Sequence, residues 1–339
     1  MVNAKKIAEL ANVSRSTVQR ALSGNPKVAE KTRERVLAIA NELGYSVNRP
    51  ARALVMRQQN IEYSVVFSIP ENKFYREVLR GIEKAREEIS GLGVKIDVHF
   101  IERIEAHQQA QMLERLVNQR KKGIVFVPYD SKEVKEVVNW GTRQGTTFVS
   151  VISDIEETGR ICFVGQNLYK SGLVAGNLMA KLTHSGDKIV CIVGSRSFTA
   201  HRDRLNGFTD RYGSLHNNGE KMDVLENYDS NRFSIKLMEE YLEKNPDIKG
   251  IYIAGGGVPG ICDAVEKKGL TGEVRIISYD LIQSEEYCRR GLIDFVIDQD
   301  PIQEGYKALH VLNNYIMFDE RPEDKVYTRV DIRTSDNLD

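Results

Sequence analysis

The sequence predicts a small all-α head followed by a two-lobe α/β body built on parallel sheets. Three observations carry this. Residues 4–43 hold three short amphipathic patterns separated by turn residues. From Ile61 onward, short apolar runs alternate with longer amphipathic stretches, the mark of strand–helix crossovers. Ten such runs are too many for one small sheet, so the body divides in two.

In the head, Lys5–Ala11 places Ile7 and Leu10 three apart on one face. Asn12 follows, a residue that tolerates a left-handed turn. Ser14 is placed to cap a second helix, Arg15 to Leu22, with Val18, Ala21 and Leu22 as its buried stripe. Ser23-Gly24-Asn25-Pro26 ends it. A third helix is expected from about Ala29 to Leu43, with Val36, Ile39, Ala40 and Leu43 on one side and Gly44 at the C′ position. Two short helices joined by a tight turn, backed by a third, have helix-turn-helix proportions. Residues 46–60 are polar and basic. Asn48 is placed to cap a short helix there, with Pro50 in its first turn.

In the body, strands are expected at Tyr63–Ile69, Val94–Ile101, Gly123–Val127, Thr147–Ile152, Ile161–Val164, Lys188–Val193, Met222–Glu226, Gly250–Ala254, Val274–Ser278 and Asp294–Ile297. Helical patterns lie between most of them, among them Phe74–Ser90, Gln108–Gln119, Leu168–Leu182, Phe233–Lys244 and Gly260–Lys268.

The formal charge of the 339 residues is zero, an average that hides a split. Residues 1–60 hold eleven Lys/Arg against four Asp/Glu, a net of +7, and the remainder holds 37 against 44, a net of −7. A basic head on an acidic body predicts that the head alone meets a polyanion. The polar side of the second helix offers Arg15, Ser16, Thr17, Gln19 and Arg20 to base edges, and Arg reads guanine bidentately. Lys5, Lys6, Lys27, Lys31, Arg33 and Arg35 supply phosphate contacts. A basic three-helix domain that docks on a protein is the competing reading.

Apolar residues at 41% and charged residues at 28% describe an ordinary folded chain. No apolar run approaches membrane-spanning length, and no apolar segment follows the basic start, so a cytoplasmic protein with no membrane partner is expected. Cys162, Cys191, Cys262 and Cys288 lie far apart, with neither a disulfide framework nor a metal pair.

The segments IAELANVSRSTVQRALSGNPKV, EKTRERVLAIANELGY and NRPARAL, in this order and spacing, resemble the lactose-repressor family of bacterial transcription regulators. The likeness continues through the body to the tail DIRTSDNL. It implies that Arg15–Leu22 enters the major groove, with Arg15, Ser16 and Arg20 at base-reading positions. It also implies a hinge helix over Asn48–Arg57 that lies in the minor groove, where Asn48, Ala51 and Arg52 line the groove and Leu54 wedges a base step. Three positions depart from the family. Gln19 replaces a small serine, Ala29 replaces a capping Ser at a cost of about 1 kcal/mol, and Pro50 stiffens the start of the hinge.

The body resembles type I periplasmic binding proteins, most of all those for ribose and related sugars. Such proteins hold ligands between two lobes at the carboxyl ends of strands. Sugar recognition needs carboxylates, amides and Arg for hydroxyls, with aromatic faces for C–H surfaces. The resemblance puts Asn72, Phe74, Tyr75, Asp130, Arg204, Asp280 and Gln299 at effector contacts, and Asp154 also ends a strand. Turn chemistry is the alternative for any single one, since Asn and Asp often end strands. Ser131 stands where ribose binders carry Arg, and Gly255-Gly256-Gly257 stands where they carry a polar turn. The pocket is therefore expected to lose contacts on one side.

Gly255, Gly257 and Gly260 also spell a dinucleotide fingerprint after a strand, with Asp280 further on. A nicotinamide-dependent enzyme would rest on this loop alone, and Pro259 interrupts it, so no cofactor is expected. Bare N–H groups at a helix N-terminus better suit a carboxylate or phosphate, which would admit an acidic or phosphorylated effector. The six histidines show no metal-ligand spacing, and neither a nucleophile elbow nor a P-loop occurs, so no metal and no catalysis are expected. Ser195-Arg196-Ser197 with His201 reads as a polar loop feeding Arg204.

The expectation is an effector-controlled transcription repressor that binds a near-palindromic operator as a homodimer, its effector a sugar or sugar derivative. A carbohydrate sensor acting through a protein partner is the alternative. The expected divisions are a headpiece at 1–46, a hinge at 47–60 and a body at 61–339. Within the body, lobe 1 takes about 61–165 and 302–320, and lobe 2 takes about 166–301 and 321–339.

Overall fold

Three helices form the head: α1 (Ala4–Leu10), α2 (Arg15–Leu22) and α3 (Glu30–Glu42). The computed structural model describes residues 4–22, 25, 27–43, 60–68, 73–101, 105–196, 198–216 and 222–338. Asn12 takes a left-handed φ of 48°, which turns the chain between α1 and α2. Ser14 Oγ then accepts from the N–H of Thr17 at 3.1 Å and caps α2. Ile7, Ala8, Ala11, Val18, Ala21, Val28, Val36 and Ala40 bury one another. Ala29 offers no capping side chain to α3. Arg33 instead donates to the carbonyls of Asn25 at 3.0 Å and Val28 at 3.4 Å, tying down the loop that enters the helix.

The body begins with β1 (Glu62–Ser68), α4 (Lys73–Ile89), β2 (Lys95–Ile101), α5 (Ala106–Asn118), β3 (Gly123–Phe126), α6 (Lys132–Arg143), β4 (Thr147–Val151) and β5 (Cys162–Gly165). It crosses to a second lobe made of α7 (Leu168–Leu182), β6 (Lys188–Val193), α8 (Thr199–His216), β7 (Asp223–Glu226), α9 (Asn231–Lys244), β8 (Ile248–Ile253), α10 (Val258–Lys267), β9 (Arg275–Tyr279), α11 (Leu281–Arg289) and β10 (Phe295–Asp298). It returns through α12 (Pro301–Phe318) and β11 (Lys325–Tyr327), then ends on β12 (Asp331–Arg333).

The first sheet has the order β11-β5-β4-β3-β1-β2 and is parallel throughout. The second has the order β12-β10-β9-β8-β6-β7, parallel except for β12 against β10. Helices cover both faces of each sheet, which is why β1, β3, β4 and β6 read as nearly continuous apolar runs. Strand order reverses between β1 and β3 in lobe 1 and between β6 and β8 in lobe 2. Ligands bind outside the carboxyl ends of strands at such reversals.

The expected assignment of 321–339 to lobe 2 needs correction. Lys325–Tyr327 pairs with Phe163–Gly165 and extends the first sheet, and only the last strand joins the second. The chain therefore crosses between lobes three times, at 166–167, 299–300 and 328–330. Gln166 ties these crossings together, donating from Nε2 to the carbonyls of Asp298 at 3.0 Å and Arg329 at 3.1 Å. Glu304, in the first turn of α12, is fully buried beside them and accepts from Thr328 Oγ1 at 3.3 Å.

Burial pushes the Glu304 carboxyl well above the usual range. The folded chain thus holds a proton that the unfolded chain releases near the ordinary glutamate value. Stability is lost as pH rises from that value through the raised one. Glu304→Gln removes this titration. In urea melts between about pH 5 and pH 8, the wild type loses stability relative to the variant as pH rises. Parallel profiles would show that Glu304 is ionised in the fold.

Candidate functional site

In the head, the core packing leaves Arg15, Ser16, Gln19 and Arg20 exposed along α2, with Thr17 half-buried between them. The hinge candidates Asn48, Ala51, Arg52 and Leu54 lie outside the described residues, as does Asn72 of the effector set.

The cleft is organised around the first turns of α8. Gly207 lets this helix approach α7 so closely that a Cβ there would collide with the carbonyl of Tyr169, and Gly172 meets the carbonyl of Arg204 in the same way. This contact sets Arg204 at the ends of the lobe 2 strands. Arg204 is 4% exposed and stacks its guanidinium 3.8 Å from the centre of the Tyr279 ring. Its Nη1 donates to the carbonyl of Ala254 at 3.1 Å, and its Nη2 donates to Gln299 Oε1 at 2.9 Å. Gln299 Nε2 in turn donates to Asp280 Oδ1 at 2.7 Å. The three candidates from lobe 2 thus form one network.

Asp280 is not serving turn chemistry. It sits at the N-cap position of α11 with φ 63° and ψ 111°, and its side chain caps nothing. A non-glycine residue held in so sparse a region marks a site where position matters more than strain. Burial pushes its carboxyl up to about 6, with Asp298 adding to the rise and Arg204 and Gln299 opposing it.

In lobe 1, Phe74 is 7% exposed and packs into the core, while Tyr75 is half-buried and stacks on Phe67 at 5.6 Å and 19°. Of the two aromatics, Tyr75 is the more exposed. Ser131 caps α6, its Oγ accepting from the N–H of Val134 at 3.3 Å. The cations at Asp130 are Lys135 at 3.3 Å and, from the opposite lobe, Arg202 at 3.2 Å. Burial alone would raise the Asp130 carboxyl, but the hydrogen bond from Arg202 and the charge of Lys135 hold it below the usual range. Thr199 Oγ1 also reaches Asp130 at 3.4 Å, and Tyr129 meets Phe198 at 4.9 Å between ring centres. The lobes therefore touch through Tyr129–Asp130 on one side and Phe198–Arg202 on the other. Asp154 pairs with Arg160 at 2.5 Å and lines the cavity that opens beside this contact.

A cavity of about 400 Å³ opens beside the contact, lined by Asp130, Thr199, Arg202, Gln166 and Lys325 among others. Among the described residues, no group of three or more His, Cys, Asp or Glu could hold a metal ion, and no helix is long and apolar enough to cross a membrane. All four cysteines are buried thiols.

The glycine loop has an occupant that the sequence did not reveal. The carboxylate of Asp229, at the turn between β7 and α9, accepts from the N–H of Gly256 at 2.6 Å. A Cβ on Gly255 would lie 2.7 Å from Asp229 Oδ1, and one on Gly194 would overlap the same carboxylate. The expected reception of an external anion is therefore corrected: the loop already holds a carboxylate of its own chain. His201 stands beside it, with Nε2 4.0 Å from Asp229 and Nδ1 3.1 Å from both the N–H and the carbonyl of Ser195.

Residues 4–48 match the bacterial regulatory proteins of the lacI family, and residues 63–320 match the periplasmic binding protein domain. The chain is 25% identical over 284 residues to the D-allose-binding periplasmic protein of Escherichia coli, covering 78% of this chain and 89% of that protein. It is 24% identical over 320 residues to catabolite control protein A of Priestia megaterium, covering 91% of each. Among solved structures, a solute-binding protein of Burkholderia graminis in complex with D-arabinose superposes with a TM-score of 0.76 at 21% identity, over 82% of this chain and 96% of that one.

Proposed function

The chain belongs to the periplasmic binding protein domain family and carries a lacI-family head in front of that domain, and from this premise we propose that it is a DNA-binding transcriptional regulator whose operator affinity is set by a sugar held between its lobes. One observation carries the reading. The same chain presents an exposed polar face on α2 and, at the strand ends of its body, the Arg204–Gln299–Asp280 network.

In this reading the protein is a cytoplasmic repressor. Two heads in a homodimer read two half-sites of a near-palindrome, and residues 48–57 lie in the minor groove with Leu54 as the wedge. Lobe closure on a sugar changes the spacing of the two hinge segments and so the operator affinity. Asn72, Tyr75, Asp130, Arg204, Asp280 and Gln299 contact the sugar, while Phe74 supports Tyr75 from the core.

Selection from random duplexes tests the DNA half of this proposal. The wild type enriches a near-palindromic site with strong salt dependence. Arg20→Ala binds that site with a loss of about 1–3 kcal/mol and relaxed preference at one base pair per half-site. A head that docks on protein would enrich no sequence.

A further inference from the structure

We infer that Asp229 is a specificity-determining residue of the cleft, a carboxylate that accepts from ligand O–H or N–H groups and turns the site toward neutral or amine-bearing sugars and away from sugar acids and sugar phosphates. The inference rests on the sugar-binding reading of the cleft and adds a residue and a ligand class to it.

The chain builds an elaborate seat for this one side chain. Tyr228 and Asp229 both take left-handed φ values, 54° and 53°. Asn227 is fully buried below them. Its Oδ1 accepts from the N–H of Asp229 at 3.1 Å, while its Nδ2 donates to Ser234 Oγ at 3.0 Å and to the carbonyl of Gly256 at 2.8 Å. Gly194 at the end of β6 and Gly255 and Gly256 after β8 each lack the Cβ that would crowd Asp229. A turn residue needs none of this, and Ser230 already caps α9 by accepting from the N–H of Phe233 at 3.3 Å.

The seat lies where the strand order of lobe 2 reverses, and there Gly255 and Gly256 contribute no side chains of their own. The Asp229 carboxylate occupies that vacant wall, and its side chain remains 23% exposed. Its charge is felt across the cleft by Tyr75 of lobe 1, whose hydroxyl is raised by burial first and then by Asp229. Burial lowers the neighbouring His201, so its ring opposes the carboxylate with little charge. Asp229 and Asp280 thus face the lobe 2 side of the site against Arg204, whose Nη groups already serve Ala254 and Gln299. An anionic ligand would meet two carboxylates, whereas hydroxyl and ammonium donors would find two acceptors.

The test uses the full chain and a thermal-shift panel of neutral pentoses and hexoses, amino sugars, uronates and sugar phosphates, followed by calorimetry on every ligand found. The expected result is binding of a neutral or amino sugar, with the corresponding uronate and phosphate at least roughly tenfold weaker. Asp229→Asn should weaken the neutral or amino sugar by roughly ten- to hundredfold and narrow the gap to the uronate, while its ligand-free melting temperature serves as the folding control. A uronate or phosphate as the tightest ligand would overturn the inference. So would an Asp229→Asn variant with unchanged affinity and selectivity while Asp280→Asn loses affinity, an outcome that leaves the sugar site itself standing. Binding of no sugar in any class would instead overturn the reading of the cleft, and this inference with it.

Discussion

Asp280→Asn is expected to lower the affinity for the bound sugar roughly ten- to hundredfold, because one charged hydrogen bond in a dry cleft is worth about 1.5–3 kcal/mol. The Asn side chain keeps the size but turns one acceptor oxygen into a donor, facing the Nε2 donor of Gln299. Arg204→Ala should cost as much by another route. It frees Gln299 Oε1, removes the stack on Tyr279 and leaves the carbonyl of Ala254 without this donor.

The pH dependence has a definite sign. The Asp280 carboxyl lies at about 6 in the folded chain against an ordinary 3.8. The stability cost of ionising it is absent below the ordinary value, grows as pH rises through about 6 and is constant above. Sugar affinity should follow the ionised fraction, climbing through this window and levelling off above it. Calorimetry of wild type and Asp280→Asn across that range decides the matter, since the variant should show a flat profile. If the sugar is an inducer, both substitutions leave sugar-free operator binding intact and abolish regulation.

The second large effect is removal of the head. Residues 61–339 carry both sheets and every proposed sugar contact but not the +7 charge of residues 1–60. This fragment should fold, dimerise and bind sugar as the full chain does, while its DNA affinity falls below detection at every salt concentration. A body of net −7 gains nothing from phosphate neutralisation. Salt-sensitive duplex binding by the fragment, read by fluorescence anisotropy, would refute the division of labour.

The sequence showed its local features well and its long-range closures poorly. The head was legible because Asn12 and Ser14 act on the turn beside them and each of its three helices shows its own apolar face, carrying Ile7, Val18 and Val36, within a few turns. Of the ten main strands, inner ones such as Gly123–Phe126, Thr147–Val151 and Lys188–Val193 were legible because parallel strands buried on both faces read as apolar runs, while the partly buried edge strands Lys95–Ile101 and Asp223–Glu226 were legible from the strand–helix alternation around them. The strands Lys325–Tyr327 and Asp331–Arg333 were not, being three residues long, only partly buried and defined by distant partners. Asp280 and Gln299 follow strands and Arg204 lies three residues before Gly207 within a helix, and it was the resemblance to ribose binders that named all three. Asp229 could not be named, because it is two segments away from the glycines it fills, and the fingerprint spelled by Gly255, Gly257 and Gly260 pointed to an external anion. The lobe contact between Asp130 and Arg202 was hidden for the same reason. Ser131 marked a missing cation, and nothing local to it shows that the replacement comes from the opposite lobe.

The most direct test of the account is one pair of operator titrations on the full chain, with and without a saturating concentration of the sugar found by thermal shift. Coupling between such sites is commonly about 1–3 kcal/mol, so the wild-type operator affinity should change between roughly fivefold and a hundredfold. The Asp280→Asn variant at the same sugar concentration should show a much smaller change, with sugar-free operator affinity like that of the wild type if the sugar is an inducer. An operator affinity that stays constant while calorimetry shows the cleft filled would contradict the claim that the sugar site controls the head.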